Sequence, residues 1–242
     1  MAIATFYHSD LKIDDQLIVL SEQESAHALR SRRLRKGDQL QVINGFGLLG
    51  KGIIQEVSNK TLTVFIERMQ QQVRHTNIKI AAALPKGDRQ KNMIDMLTQL
   101  GVDQIQPLNC DRSVTHYKPS MLTKWQRIAA EACKQTQNPW LPVFSPAITV
   151  LELICNTEGV VLYADINGKS LFELNDVFGK ETDDVTIIIG PEGGLSAQEM
   201  IKLKESSCHA ISMGSNILRT ELAAAAALLS CQASIKSQFN EC

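Results

Sequence analysis

No apolar run in this chain approaches the ~20 residues that a helix needs to cross a bilayer. The amino terminus MAIATFYHSD lacks a charged and then apolar leader, so a cytoplasmic protein with no membrane partner is expected. Six cysteines, at 110, 133, 155, 208, 231 and 242, show no C-x-x-C spacing. Neither a zinc site nor a disulfide framework is indicated; reduced, mostly buried thiols and no metal are expected. There is no G-x-G-x-x-G and no G-x-x-x-x-G-K-[ST], which argues against a Rossmann or P-loop phosphate cradle. Internal repeats and low-complexity tracts are absent too. The net charge of −1 argues against indiscriminate nucleic-acid binding.

Two glycine-marked turns stand out instead. Thr186 to Ile189 is a β-branched run with the composition of a strand buried on both faces, ended by Gly190, Pro191, Gly193 and Gly194. Ser196 with Glu199 fits a capping box, predicting a helix from Ala197 to about Ser206. The arrangement then repeats: Ala210 to Met213 as strand, Gly214 to Asn216 as turn, Arg219 to about Ser234 as an alanine-rich helix. Two such strand ends side by side at the carboxyl edge of a parallel sheet form a ligand site. Small residues let a ligand approach backbone amides and carbonyls closely. Taken singly, such turns are most often plain loop punctuation.

The rest of the chain falls into two styles. Before residue 70, Asp38 to Asn44, Lys51 to Val57 and Thr61 to Ile66 are short alternating segments, separated by Gly45-Phe46-Gly47 and Ser58-Asn59-Lys60, which suggests a small β-barrel. Ser21 with Glu24 is a second capping-box candidate, opening a helix to about Arg30. From residue 77 strands and helices alternate: Ile78 to Leu84, Arg89 to Leu100, Gln104 to Leu108, Leu122 to Gln137, with Val150 to Cys155 and Val160 to Ala164 continuing the series. That order indicates a parallel sheet covered on both faces. Hydrophobic residues at 44% suffice for a substantial core.

Charge is unevenly placed. Residues 77 to 134 carry nine Lys/Arg against five Asp/Glu, and residues 135 to 242 six against thirteen. The sharpest cluster is His27, Arg30, Arg32, Arg33, Arg35 and Lys36, beside a turn at Gly37-Asp38. It is either a solvated face or a site where RNA phosphate relieves the self-repulsion of five cations.

The string GPEGGLSAQE, followed by Met213-Gly214-Ser215-Asn216-Ile217-Leu218-Arg219-Thr220-Glu221-Leu222-Ala223, resembles the SPOUT methyltransferases with a trefoil-knotted carboxyl end. More narrowly it resembles the RsmE family, ribosomal RNA small-subunit methyltransferase E, whose late motif is similar to L-G-x-x-I-L-R-T-E-T-A. Lys124-Trp125-Gln126-Arg127-Ile128-Ala129-Ala130-Glu131-Ala132 with Gln135 resembles the family's W-x-x-I-x-x-E-A-x-x-Q segment, and Leu100-Gly101-Val102 and Arg112-Ser113 also correspond. The likeness spans nearly the whole chain. It departs at Thr5, Arg32, Lys91, Met96, Gln99 and Leu222, and at Gln137-Asn138, where relatives often have Gly-Arg.

The resemblance implies an α/β protein with a PUA-like RNA-binding β-barrel over residues 1–72. A SPOUT domain over 73–242 would follow, with a parallel sheet and a carboxyl-terminal trefoil knot. It implies S-adenosylmethionine as cofactor and methyl transfer to N3 of a uridine in small-subunit (16S) ribosomal RNA, in an assembled subunit. A homodimer is implied as well, with Ala223 to Ala227 offering a small-residue face. The alternatives are a related enzyme acting at another RNA position, or a catalytically silent RNA-binding assembly protein.

Cofactor contacts are expected from Leu162, Gly190, Glu192, Gly193, Gly194, Met213, Gly214, Asn216, Ile217, Leu218 and Thr220. RNA contacts are expected from His27, Arg30, Arg32, Arg33, Arg35, Lys36, Lys86 and Arg112. Glu192 either meets the cationic end of the cofactor or caps the following helix. Uracil N3 carries a proton and is a poor nucleophile, so the proton must leave or the anion be stabilised. Arg219 and Glu221 are the catalytic candidates. Arg219 either stabilises charge on the uracil oxygens or pairs with Glu221, and the proton acceptor is Glu221, Glu192 or Asp165.

Overall fold

The computed structural model describes residues 3–58, 60–74, 76–178 and 184–239; Asn59 of the second expected turn and Cys242 lie outside the described residues. The chain forms two compact units, Met1–Val73 with Ala129–Leu141, and Arg74–Ile128 with Pro142–Cys242. The segment 129–141 therefore groups with the first unit, away from its neighbours in sequence.

The first unit holds a five-stranded sheet of β1 (Ala4–Tyr7), β2 (Leu17–Val19), β3 (Gln39–Ile43), β4 (Leu48–Val57) and β5 (Leu62–Gln71), in the order β1-β3-β4-β5-β2. The three expected strands are β3, β4 and β5; β1 and β2 are too short to have shown a period of two. Alternate residues Phe6, Leu40, Val42, Ile54, Leu62 and Val64 fill its core.

Helix α1 (Glu22–Ala26) starts at the expected cap, with Glu24 N–H donating to Ser21 Oγ at 3.2 Å. The reciprocal half of the capping box is missing. The Glu24 carboxylate turns inward instead, accepting from Lys134 Nζ at 2.7 Å and from Tyr7 N–H at 3.4 Å, because a buried ammonium is a stronger partner than a cap amide. Past Ala26 the helix widens to a π-type turn, His27–Ser31.

From residue 77 the chain alternates as expected: β6 (Asn77–Ala83), α2 (Asp88–Gln99), β7 (Gln104–Asn109), α3 (Leu122–Thr136, whose residues from Ala129 on group with the first unit), β8 (Val143–Phe144), β9 (Ile148–Thr149), α4 (Val150–Asn156), β10 (Val160–Lys169), β11 (Asp184–Ile189), α5 (Ala197–Glu205), β12 (Cys208–Ile211) and α6 (Thr220–Phe239). The strands run parallel in the order β12-β10-β11-β6-β7-β8, with β9 beside β7. Segment 150–155 continues the series as a helix, capped by Thr149 and Glu152 in a reciprocal box.

The β-branched run in β11 is buried on both faces. Ile187 and Ile189 pack with Leu97 of α2 and Leu228 of α6, while Ile188 packs with Leu153 of α4 and Leu203 of α5. Each such side chain contributes about 1.5–3 kcal/mol of burial, and helices on both faces are what a continuous apolar strand demands. No described helix is long and apolar enough to cross a membrane.

Candidate functional site

The carboxyl ends of β10, β11 and β12 open into one cavity of about 320 Å³. Ala164, Asp165 and Ile166 contribute from β10, Ile189 to Glu192 with Gly194 and Leu195 from the first glycine turn, and Ser212 to Gly214 with Asn216 to Leu218 from the second. The turns are joined directly: Thr220 Oγ donates to Gly190 O at 3.3 Å. β12 stops at Ile211, two residues short of expectation, because Ser212 N–H bonds Lys169 O and the Ser212 hydroxyl bonds Gly214. Ser212 and Met213 are thereby released into the cavity wall. Gly214 has φ +123° with open space on its Cβ side, a conformation that a side chain would strain.

The first turn is held from outside the cavity by two arginines. Arg89 Nη2 lies 2.9 Å from Glu192 Oε1, and Arg112 Nη1 donates to Gly193 O at 2.9 Å and Leu195 O at 3.4 Å. Asp111 accepts from the Ser196 hydroxyl at 2.5 Å, while its own N–H donates to Glu199 Oε1 at 3.0 Å. The loop after β7 thus carries the loop after β11. The capping box that opens α5 is complete, Ser196 N–H to Glu199 Oε2 at 2.7 Å and Glu199 N–H to Ser196 Oγ at 3.2 Å. The α5 cap therefore belongs to Ser196 and Glu199, and Glu192 pairs with Arg89.

Nine of the expected cofactor residues line the cavity: Gly190, Glu192, Gly194, Met213, Gly214, Asn216, Ile217, Leu218 and Thr220. Leu162 is fully buried in the sheet, and Gly193 turns its backbone to Arg112. Arg219 is exposed at the start of α6 and Glu221 is buried; they form no ion pair, and neither lines the cavity. Glu221 Oε2 is a buried oxygen without a hydrogen-bond partner among the described residues. Asp165 Oδ1 accepts from Asn167 N–H at 2.9 Å.

Sequence reasoning missed Arg89 and the apolar wall of Ile166, Leu195, Met200 and Ala223. Leu195 sits beside the first glycine turn, Met200 and Ala223 sit one turn into the helices that follow the two turns, and Ile166 lies on β10. Arg89 follows a Lys86-Gly87 bend at the same sheet edge, the one signal pointing to it.

The basic residues divide by unit. In the first, Arg30, Arg32, Arg33, Arg35 and Lys36 are exposed and show no ion pair among the described residues. His27 is partly buried, its ring edge-on to Phe6 at 6.1 Å. In the second, Lys86 is exposed and Arg112 is committed to the turn. No group of three His, Cys, Asp or Glu among the described residues is placed to hold a metal ion. Cys110, Cys155, Cys208 and Cys231 form no disulfide among the described residues, Cys155 being exposed, and the buried Cys133 thiol donates to Trp140 O at 3.2 Å.

The RNA methyltransferase domain family matches residues 72–232, and the RNA methyltransferase PUA domain family matches residues 20–67. The chain is 28% identical to ribosomal RNA small subunit methyltransferase E of Rickettsia conorii, over 89% of each protein. It is 28% identical to the protein of that name from Bacillus subtilis, over 84% of this chain and 85% of the relative. Among solved structures, a protein from Legionella pneumophila in complex with the bound cofactor SAM is 26% identical. It superposes with a TM-score of 0.83 over 97% of this chain and 98% of the other. Ribosomal RNA small subunit methyltransferase E from Neisseria gonorrhoeae, bound to S-adenosyl methionine, shares the fold at a TM-score of 0.85 and 24% identity, over 96% and 98%.

Proposed function

Because the chain belongs to the RNA methyltransferase family, and within it to ribosomal RNA small subunit methyltransferase E, RsmE, we propose that it methylates N3 of a uridine in small-subunit ribosomal RNA with S-adenosylmethionine. The observation that carries this reading is the joining of two glycine turns around one cavity at the sheet's carboxyl edge.

The cavity's chemistry fits the cofactor. Ile166, Leu195, Met200, Met213 and Leu218 offer apolar walls to a nucleoside, the glycine turns offer backbone donors and acceptors, and Asp165 and Glu192 bring negative charge toward a sulfonium. The cofactor supplies, when bound, an electrophilic methyl group. The chain must hold the uracil in line with it and manage the N3 proton. Arg219 stabilises the charge that develops on the uracil oxygens. Glu192 is engaged by Arg89 and Asp165 by Asn167, so we assign the proton to Glu221, whose Oε2 has no partner among the described residues.

The same reading keeps the division into 1–72 and 73–242, with the first sheet closing as a PUA-like barrel. Threading of the carboxyl segment as a trefoil knot belongs to the same reading and rests on the family likeness. A homodimer is supported by Leu222 and Leu229 of α6, seven residues apart and 50% and 55% exposed, in place of the expected Ala223 to Ala227 face, whose Ala223, Ala224, Ala225 and Ala227 are buried within the chain. The compartment is the cytoplasm and the substrate an assembled small subunit, contacted through Arg30, Arg32, Arg33, Arg35, Lys36 and Lys86.

The test is to incubate the protein with S-adenosylmethionine labelled on its methyl group and small subunits from cells lacking the gene. Mass spectrometry of the digested RNA is expected to find one N3-methyluridine. A label at another position, or on none, rejects the reading.

A further inference from the structure

Residues 41 to 50 run through the end of β3, the connecting loop and the start of β4, and all but one are buried. The exception is Phe46, 68% exposed at the loop tip. Single exposed apolar side chains are common and need no explanation. Here, however, the backbone that exposes the ring is fixed from every side. Asn44 Oδ1 accepts from Phe46 N–H at 2.7 Å and from Leu48 N–H at 3.1 Å. Leu141 N–H donates to Gly45 O at 3.0 Å, Gly47 N–H to Pro139 O at 2.9 Å, Gln72 N–H to Gly47 O at 2.8 Å, and Gln71 Nε2 to Phe46 O at 3.2 Å. Gly45 and Gly47 have φ of +84° and +90°. A Cβ on Gly45 would meet Leu141 Cδ1 at 2.7 Å, and one on Gly47 would collide with the Trp140 ring. All these groups belong to the first unit. The loop cannot fold over to bury Phe46.

We propose that Phe46 is a stacking platform for an unpaired nucleobase of the RNA substrate. The inference rests on the RNA-substrate reading above and adds a contact to it. A rigid exposed ring loses little entropy on stacking, and every base presents a π face to it. An RNA occupant is favoured by charge. The five exposed cations from Arg30 to Lys36 lie just before β3 and Phe46 just after it, so the two sites are separated by about 17 Å of strand. One strand of RNA is held at its phosphates by the first and at a base by the second.

The experiment is steady-state methylation of small subunits lacking the modification, by the full-length protein and its Phe46 variants. Phe46→Ala is expected to raise KM for subunits about tenfold or more, with kcat and S-adenosylmethionine affinity unchanged. Phe46→Trp restores KM, and Phe46→Leu, apolar but without a ring, does not. The slope of log KM against log salt is the same for wild type and alanine, since stacking releases no counterions. Phe46→Ala within twofold of wild type overturns the proposal, as does Phe46→Leu matching wild type or Phe46→Trp staying as weak as alanine. A change in sedimentation of Phe46→Ala without RNA also overturns it, by making the ring a protein contact. Failure of the wild type to methylate any subunit sinks the proposed function itself, a separate outcome.

Discussion

Arg89 Nη2 sits 2.9 Å from Glu192 Oε1 and holds the one carboxylate of the GPEGG turn. Each side chain is about one-third exposed, 34% and 36%, so solvent screening leaves the pair with well under about 1 kcal/mol of stability. Its consequence is positional: Glu192 lines the cavity while its outer partner fixes where the carboxylate points. Arg89→Ala is expected to raise the S-adenosylmethionine Kd about three- to tenfold by calorimetry, with the melting temperature shifted by less than about 2 °C. Arg89→Glu is weaker still, and Arg89→Lys, which keeps a cation beside Glu192, recovers part of the loss. An Arg89→Lys variant no better than Arg89→Ala rejects the pairing as the cause.

Lys134 makes the opposite kind of pair. Its ammonium is buried 2.7 Å from Glu24 Oε1 and 2.8 Å from Glu131 Oε1. Removing one buried partner strands the other's charge, so Lys134→Ala is expected to cost about 3–5 kcal/mol in urea denaturation. Lys134→Met with Glu24→Leu recovers most of that, because no charge is left buried. Equal destabilisation by the single and double changes would show that packing, rather than charge, sets the loss.

How much of this was legible beforehand differs from residue to residue. The Ser196–Glu199 box was readable because both halves are local and nothing competes for them. The Ser21–Glu24 box looked the same, yet Lys134, 110 residues away, captures the Glu24 carboxylate. The glycine turns announced a site at the sheet edge because small residues there mark backbone approach. Arg89 and Arg112 were invisible as loop supports, since their partners are a carboxylate and carbonyls 81 to 103 residues distant, which no local pattern encodes. Strands β1 and β2 show no period because four and three residues cannot carry one.

Gln137 has φ +59°, a left-handed conformation rare for a side chain. Gln137→Gly is expected to stabilise by up to about 1 kcal/mol, reduced by the loss of the Gln137 Nε2 bond to Ile3 O. Gln137→Ala keeps the strain and loses that bond, so it should lie below wild type. Differential scanning calorimetry of the three proteins checks the order.

Burial pushes the Cys110 and Cys231 thiols up to about 12, with Glu199 adding to the effect at Cys110. A thiol raised by folding favours the fold while protonated. Its contribution is full below the ordinary value of about 9 and is lost as pH rises from there toward 12. Urea midpoints are therefore expected to hold to about pH 9 and then fall, more shallowly in Cys231→Ala. At pH 8 iodoacetamide should label Cys155 rapidly and leave Cys110 and Cys231 unmodified until the chain unfolds, as peptide mass spectrometry would show.

Under the proposed function, the run Leu218-Arg219-Thr220 divides binding from chemistry within three residues. Leu218 and Thr220 line the cavity, and Thr220 ties the second turn to Gly190 O, whereas Arg219 stands exposed outside the lining. Thr220→Val removes that tie and keeps the side-chain shape, so it should raise the S-adenosylmethionine Kd severalfold. Arg219→Ala leaves the tie alone and removes the cation assigned to the uracil oxygens, so its Kd should stay within about twofold of wild type. Its kcat should fall about 10²–10³-fold, as when a preorganised donor to a developing anion is lost. Arg219→Lys restores charge without the planar fork and should recover only part of the rate. A kcat for Arg219→Ala within a fewfold of wild type would remove Arg219 from the chemistry, and a matching rise in Kd would move it to the cofactor side of the site.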